Sequence, residues 1–512
     1  MKRPPAVPVV EPAGSGLASA PRSLRVPAVN PSSPAGVARS RRRFAVGLSA
    51  AVLSVALGAA VAGSYQLTVL ALAAAAVIAA FAWTRPELYS VVLVAALLVP
   101  YTWSPSVLGT PAPFILLLAL PGACAAILSL RTGEGLRLSV LDCCVAAILA
   151  SLALSEVFVG SGLTLGTHTL AHTEIAALLV PYLALRLIVA AWPQIIERMT
   201  AALLGVGAAL SIVAIFEELQ HQTFIAGSAL NNPQLSQWAI SYQRGGAIRA
   251  QATLGHPIAF GAFLVIPLLL AFAYNRWRLF ALIALGEALT LSRGPYLAAI
   301  AGVVLLGFLM KRGGRLWALV AVIAAVAVLV GPVRDSISAS FQSGTTEQLN
   351  ADYRSQLLGA SVRSLTALGD PTPKASELFG HEGQFTLSDV TSEFALLAGR
   401  QGAIGLLVWL SLLGALAYTI RVAKRAEDLL LLTLACALVA EWLALLFVPL
   451  ITSFRYAFWL TMAMAATRLA SIRPLQMATA KRSEVRSAPA LSPRPSGKVR
   501  IRDSDAVPTR SG

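Results

Sequence analysis

The feature that most limits how this chain can fold is the recurrence of apolar segments about as long as a bilayer is thick. A spanning helix needs roughly 20 mostly apolar residues. Fourteen stretches approach that length: 44–63, 65–83, 87–103, 112–130, 138–159, 174–191, 199–217, 256–274, 277–291, 295–310, 315–332, 393–420, 428–448 and 454–472. With 57% hydrophobic and 12% charged residues and a mean hydropathy of +0.72, the composition excludes an ordinary soluble protein. The sequence therefore predicts an all-α, polytopic membrane protein of about 12–14 transmembrane helices, with a large extracytoplasmic loop that contains an amphipathic helix. The ninth and tenth segments are short and share the break Ser292-Arg293-Gly294-Pro295.

A formal net charge of +16 would point to nucleic acid in a soluble protein. Topology explains it differently here. If both termini are cytoplasmic and the segments alternate, Arg85, Arg131, Arg137, Arg198, Arg276, Arg278, Lys311, Arg312, Arg315, Arg421, Lys424 and Arg425 all fall in cytoplasmic loops. Both tails and Arg186 join them. Of 40 basic residues, nine remain outside: Arg244, Arg249, Arg293, Arg334, Arg354, Arg363, Lys374, Arg400 and Arg455. That is the positive-inside bias, and no nucleic-acid partner is expected. Eight of the nine are arginine in a chain that is arginine-rich throughout, so their positions say more than their number. In external loops and at helix ends, guanidinium groups suit bidentate phosphate binding. The four cysteines lie inside apolar segments, have no metal-ligand spacing, and read as small core residues.

Five regions follow from this reading. Residues 1–43 form a Pro-, Ser- and Ala-rich basic tail of disordered composition, ending in Arg39, Arg41, Arg42 and Arg43 at an anionic inner leaflet. Ala60-Val61-Ala62 resembles a signal-cleavage site, but the charged region before it is too long for a signal peptide. Residues 44–332 carry transmembrane helices and an external loop at 218–255, residues 333–392 form the large external loop, residues 393–472 hold the last helices, and 473–512 form a second basic tail. Within the large loop Leu358, Val362 and Leu365 recur at helical spacing. Asn350 or Asp352 offers a cap and Gly369-Asp370-Pro371 a stop, so an amphipathic helix is expected from Asp352 to Leu368, lying across the top of the bundle. After it come Gly380-His381-Glu382-Gly383, a polar run to Ser392, and a landing helix that opens with Glu393 and carries Arg400.

Other polar residues have bland and functional readings side by side. His168, His172 and Glu174 have spacing that a helix can use for a metal, but Gly162, Gly166 and Thr167 around them favour a turn entering a helix, and no metal site is expected. The loop after Glu217-Glu218 contains His221, Asn231-Asn232-Pro233, Trp238 and Tyr242. Its aromatic residues serve either as interfacial anchors or as flat faces for sugar rings, and both readings stay open. Glu156, Glu287 and Glu441 lie within or at the ends of apolar segments, where ionisable groups are expensive. Glu287 is read on the same short helix as Arg293, as an ion pair or a catalytic group.

Three stretches together resemble the bacterial O-antigen ligase and polymerase family. Arg249-Ala250-Gln251-Ala252-Thr253-Leu254-Gly255-His256-Pro257 is similar to that family's arginine followed by a His-Pro-Asn element, with Ile258 where Asn is usual. Thr290-Leu291-Ser292-Arg293-Gly294 looks like its Thr-x-Ser-Arg-Gly turn. The third is Thr391-Ser392, nine residues, then Gly402-Ala403-Ile404-Gly405, where family ligases carry His, Asn or Ser, nine residues, Gly, two residues and Gly. Thr391 in place of the His leans against a standard ligase and toward a polymerase-like or divergent member. The resemblance covers about residues 240–420.

The resemblance implies a polyprenyl-pyrophosphate-linked saccharide as donor, a glycan acceptor, contact with membrane lipid, and a place in the bacterial cytoplasmic (inner) membrane, in cell-surface polysaccharide assembly. Breaking the anomeric bond pushes charge onto the pyrophosphate, so preorganised cations stabilise the transition state more than the ground state. Arg249 and Arg293, at segment ends, are the first choice for donor binding, with Arg400 and Arg363 next. The acceptor hydroxyl needs a base, and Glu393, Asp389, Glu382 and His381 are the candidates. No nucleotide-phosphate loop is present and the one Asp-x-Asp, Asp503-Ser504-Asp505, lies in the C-terminal basic tail, so no such motif serves an activated nucleotide sugar and a cofactor-free, metal-independent glycosyltransferase is expected. The alternative is a secondary transporter or flippase for lipid-linked or anionic substrates, in which the buried acids would be proton or sodium sites. Against it, no internal repeat is visible, and polar residues gather in two large external loops.

Overall fold

The computed structural model describes residues 65–107, 110–131, 135–159, 169–226, 240–244, 247–311, 359, 361–363, 365–369 and 392–487. Most of this is helix. In chain order the helices are α1 Tyr65–Thr84, α2 Pro86–Ala95, α3 Phe114–Arg131, α4 Val140–Val159, α5 Thr169–Ala191, α6 Ile196–Gln220, α7 Pro257–Ala273, α8 Trp277–Leu289, α9 Arg293–Leu309, α10 Glu393–Arg425, α11 Leu429–Ala444 and α12 Phe454–Ser487. Two antiparallel ladders of two residues per strand sit in loops. One pairs Ser106 with Pro111 and Val107 with Thr110, and the other pairs Gln243 with Ile248 and Arg244 with Ala247.

Three helical stretches among the described residues are long and apolar enough to cross a membrane: Phe114–Arg131, Pro193–Gln220 and Gln401–Arg425. Further apolar helices of 10–17 residues accompany them, which is consistent with a membrane protein.

At the centre lies α7. Its sequence, PIAFGAFLVIPLLLAFA, has no polar face, and every residue from Ala259 to Ala273 is buried. A helix that is apolar all round must be enclosed on all sides. Here α6, α8, α9, α11 and α12 pack around it. Small residues let them approach. A Cβ on Gly207 of α6 would stand 2.6 Å from Pro267 Cγ of α7, and one on Gly302 of α9 would stand 2.8 Å from Ala440 Cβ of α11.

Helix ends differ from the expected segments where a specific residue intervenes. The segment predicted over 87–103 yields only α2 and two short 3-10 turns, Ala96–Leu98 and Tyr101–Trp103. Pro100 is the reason. It has no amide to donate, and it holds Val99 extended at φ −75° and ψ 129°. The break between the ninth and tenth segments falls at Thr290–Ser292, with Leu291 left-handed at φ 48°, and Arg293-Gly294-Pro295 forms the first turn of α9. Glu287 therefore sits on α8 and Arg293 on α9, which corrects the reading that put both on one helix. In the large loop, residues 361–363 are helical but 365–369 are not. The carbonyls of Thr366 and Ala367 are turned to α10 instead, and Val362 and Leu365 are exposed. At the C-terminal end α12 runs on to Ser487, past the expected boundary at 472 and through Pro474.

One end of the bundle carries most of the described basic residues, including Arg85, Arg131, Arg137, Arg198, Arg276, Arg278, Lys311, Arg421, Lys424 and Arg425 at helix ends and turns. Buried charge near this end is fully paired. The Arg186 side chain is 2% exposed, and its Nε donates to Asp142 Oδ1 at 2.7 Å, Nη1 to Thr467 Oγ1 at 2.9 Å and Nη2 to the Arg137 carbonyl at 2.6 Å. Tyr182 Oη donates to the same Asp142 oxygen at 2.7 Å. This ties α4, α5 and α12 together.

Removing one partner of a buried ion pair costs about 3–5 kcal/mol, because the other charge is left uncompensated. Asp142→Asn is therefore expected to lower thermal stability in detergent by that order, and Asp142→Leu combined with Arg186→Met to recover most of it. A single variant as stable as wild type would show that water reaches Arg186.

Candidate functional site

The opposite end of the bundle is stitched together by hydrogen bonds between loops. Its first anchor is Glu217, in the last turn of α6 and 2% exposed. Oε1 accepts from the Phe224 amide at 2.7 Å, and Oε2 accepts from the amides of Gln251 and Ala252 at 2.9 and 3.0 Å. Ala252 is left-handed at φ 46°. One carboxylate thus folds the chain leaving α6 and the chain entering α7 onto each other. The Tyr101 amide donates to the Thr253 carbonyl at 2.8 Å, and Thr253 Oγ1 donates to the Leu97 carbonyl at 3.1 Å, which adds the α2–α3 connection.

This clamp presents Arg249. The side chain is partly buried; its Nε donates to the Thr290 carbonyl at 3.2 Å and its Nη2 to Ser292 Oγ at 2.8 Å. Ser292 Oγ donates in turn to the Thr290 carbonyl at 3.0 Å. Ser292 is the N-cap position of α9, yet its hydroxyl makes no cap bond to that helix. Arg293 follows immediately and is partly buried. The Arg249 guanidinium therefore sits at the positive end of the α9 dipole, where Arg293 is the first helical residue. Helix N-termini and arginines are the elements from which phosphate sites are made.

His256 stands next to this turn, as the N-cap residue of α7 with Pro257 behind it. Its ring meets Tyr242 edge-on, with centroids 5.1 Å apart. Tyr242 is also tied in through its carbonyl, which accepts from the Arg249 amide at 2.9 Å.

A third component comes from α10. Ser392 is its N-cap and accepts from the Ala395 amide at 3.4 Å. Glu393 is 8% exposed; its amide donates to the Leu445 carbonyl at 3.0 Å, and its Oε2 accepts from the Leu450 amide at 2.8 Å. Arg455 Nε donates to the Leu450 carbonyl at 2.6 Å. The geometry makes Glu393 a clamp on the α11–α12 connection, whatever else it does.

The two glycines of the third motif have separate physical reasons. Gly402 interrupts α10 with φ 62° and ψ −156°, a region essentially reserved for glycine. The break lets the Ala403 and Ile404 amides donate to the carbonyls of Thr366 and Ala367, at 2.8 and 3.1 Å. A Cβ on Gly402 would stand 2.4 Å from both Thr366 O and Gly369 N. Gly405 instead makes room for Gln401, whose Cβ would be 2.1 Å from an added Cβ and whose Oε1 accepts from Ser151 Oγ of α4 at 2.9 Å. The large loop is thereby fastened to the break in α10, and the break to α4.

Asp389, His381, Glu382 and Thr391 lie outside the described residues, as do His168, Trp238, the first and eleventh apolar segments and both tails up to 64 and from 488. The side chains of Arg400, Glu156, His172 and Glu174 do too. Arg363 is described and exposed, on the 361–363 fragment. Of the predicted site residues, the structure brings Arg249, Arg293 and His256 together, and places Glu393, Ser392, Gly402 and Gly405 along the first turns of α10.

Sequence reasoning named Glu217 and Arg455 without giving either a role of its own and left out Gln401. Glu217 had a signal. An acid in the last turn of a helix opposes the helix dipole, so its carboxylate is expected to answer amides from elsewhere. The sequence matches no protein-family model and no curated protein.

Gly402→Ala is expected to release Leu365–Gly369 from α10 while the bundle stays folded. Amide hydrogen exchange should then rise at Ala403 and Ile404 and remain unchanged in α7; unchanged protection at Ala403 would mean that the loop does not depend on the break.

Proposed function

We propose that the chain is a glycosyltransferase of the O-antigen ligase and polymerase type. It transfers or polymerises a polyprenyl-pyrophosphate-linked saccharide onto an acceptor sugar hydroxyl at the outer face of a bacterial cytoplasmic membrane, in cell-surface polysaccharide assembly. In this reading the chain is multi-pass, the basic end of the bundle and both termini are cytoplasmic, and the end bearing Arg249 faces out.

The observation that carries the proposal is the junction of Arg249 with the Thr290–Ser292 turn that opens α9 at Arg293. A diffusible sugar phosphate would not need such a site at the boundary of an apolar bundle, whereas a lipid-borne pyrophosphate arrives at that depth. The Ser292 and Thr290 bonds hold the Arg249 guanidinium before substrate binds, so little reorganisation is needed as charge develops on the leaving group. His256 packs edge-on against Tyr242, whose carbonyl holds the backbone of the Arg249 loop. Glu393, Asp389, Glu382 and His381 remain the candidate bases, with Arg400 and Arg363 as further donor contacts.

The test is transfer of a lipid-linked oligosaccharide by the purified protein in nanodiscs. Arg249→Ala and Arg293→Ala should each lower transfer by about a hundredfold or more at unchanged folding. Glu393→Gln separates two roles. A glutamine oxygen still accepts from the Leu450 amide, so activity survives if Glu393 is only a clamp and collapses if it is the base. Wild-type protein that yields no product from its native donor, but supports ion-dependent uptake into liposomes, would replace this reading with the transporter or flippase one.

A further inference from the structure

Glu287 on α8 and Glu441 on α11 have no role in the site described above. Glu287 is 4% exposed and Glu441 0%, and none of their four carboxyl oxygens has a hydrogen-bond partner among the described residues. Both helices pack against α7 and α9, and the two carboxyls are near enough to interact electrostatically. Space for Glu287 is kept by a glycine: a Cβ on Gly261 of α7 would stand 3.2 Å from Glu287 Oε1 and 2.9 Å from Pro295 Cβ of α9.

The groups around Glu287 supply no counter-charge. From α9 it is approached by Tyr296, whose hydroxyl is committed to the Ala288 carbonyl, and from α11 by Glu441. On the α6 side Ser211 lies against Gly286, and its hydroxyl donates to the Gly207 carbonyl. Among the described residues no Arg, Lys or His forms an ion pair with either acid. Two carboxylates enclosed in one apolar interior, without donor or cation, cannot both stay charged. A metal cation would need several further oxygens, while the backbone carbonyls of these helices are used by their own hydrogen bonds. A hydrogen ion supplies both things that are missing, a donor and a cancelled charge.

We propose that Glu287 and Glu441 form a proton-binding carboxyl pair within the membrane protein's core. Each acid lies one helical turn from the Arg249 end of the bundle: the Thr290 amide donates to the Glu287 carbonyl, and the Leu445 amide to that of Glu441. These are the turns that meet Arg249 and Glu393. The proposal is independent of the transferase reading, since it rests on neither a donor nor an acceptor.

Infrared spectroscopy of the full chain in nanodiscs tests it, with wild type, Glu287→Gln, Glu441→Gln and the double variant compared as difference spectra. The expected result is a protonated-carboxyl C=O band in wild type, reduced in each single variant and lost in the double variant. Glutamine is nearly isosteric, and melting curves check that the variants fold; if the double variant does not, the single-variant differences decide. Difference spectra that contain only carboxylate bands overturn the proposal. So does a sodium-dependent rise in wild-type melting temperature, absent with potassium and abolished in either single variant, because the ligand would then be a metal cation.

Discussion

Everything in this structure leans on α7, a helix with no face that tolerates water. Because it is apolar all round, it has to be wrapped by α6, α8, α9, α11 and α12, and those helices must come close enough to leave no void. Gly207 against Pro267 and Gly261 against Pro295 are where that closeness is achieved. The polar residues that matter are then forced to the two ends of α7 or into the few positions where a neighbour can answer them.

At the Arg249 end the problem is backbone polarity. Loops that turn back at the edge of an apolar bundle carry amides that water reaches poorly, and each needs an acceptor. Glu217 answers three of them and Glu393 one, while the Thr366 and Ala367 carbonyls answer the two amides freed at Gly402. The same bonds that satisfy the backbone also fix the position of Arg249 and of the first turns of α9 and α10. Structure and candidate chemistry are coupled here through loop geometry rather than through the core.

The interior treats its charged groups in two ways. Asp142 and Arg186 are enclosed as a pair with all three guanidinium nitrogens donating, which locks α4, α5 and α12 at the basic end. Glu287 and Glu441 are enclosed without a cation, which leaves protonation as the way to keep them inside. A bundle that pairs one set of charges so fully makes the unpaired set informative.

Hydrophobic length and spacing were enough to locate α3 to α9, α11 and the start of α12 within a few residues, because a helix in an apolar medium must satisfy its own backbone and can be read from a local pattern. Local chemistry also accounts for the stop at Pro100 and for Gly402 as a special backbone position. The pattern could not show that Leu365–Gly369 abandons helix to cap α10, since that outcome depends on amides made available by a break 33 residues later, at Gly402. Nor could it join Arg249 to Ser292, or give Glu217 the amides of Gln251 and Ala252, because those partners are far apart along the chain and meet only when α6, α7, α8 and α9 pack. Apolar burial is a local property of composition, and it wrote the helices into the sequence; hydrogen bonds between distant loops are a property of the packed bundle, and they decided which charged groups stand together.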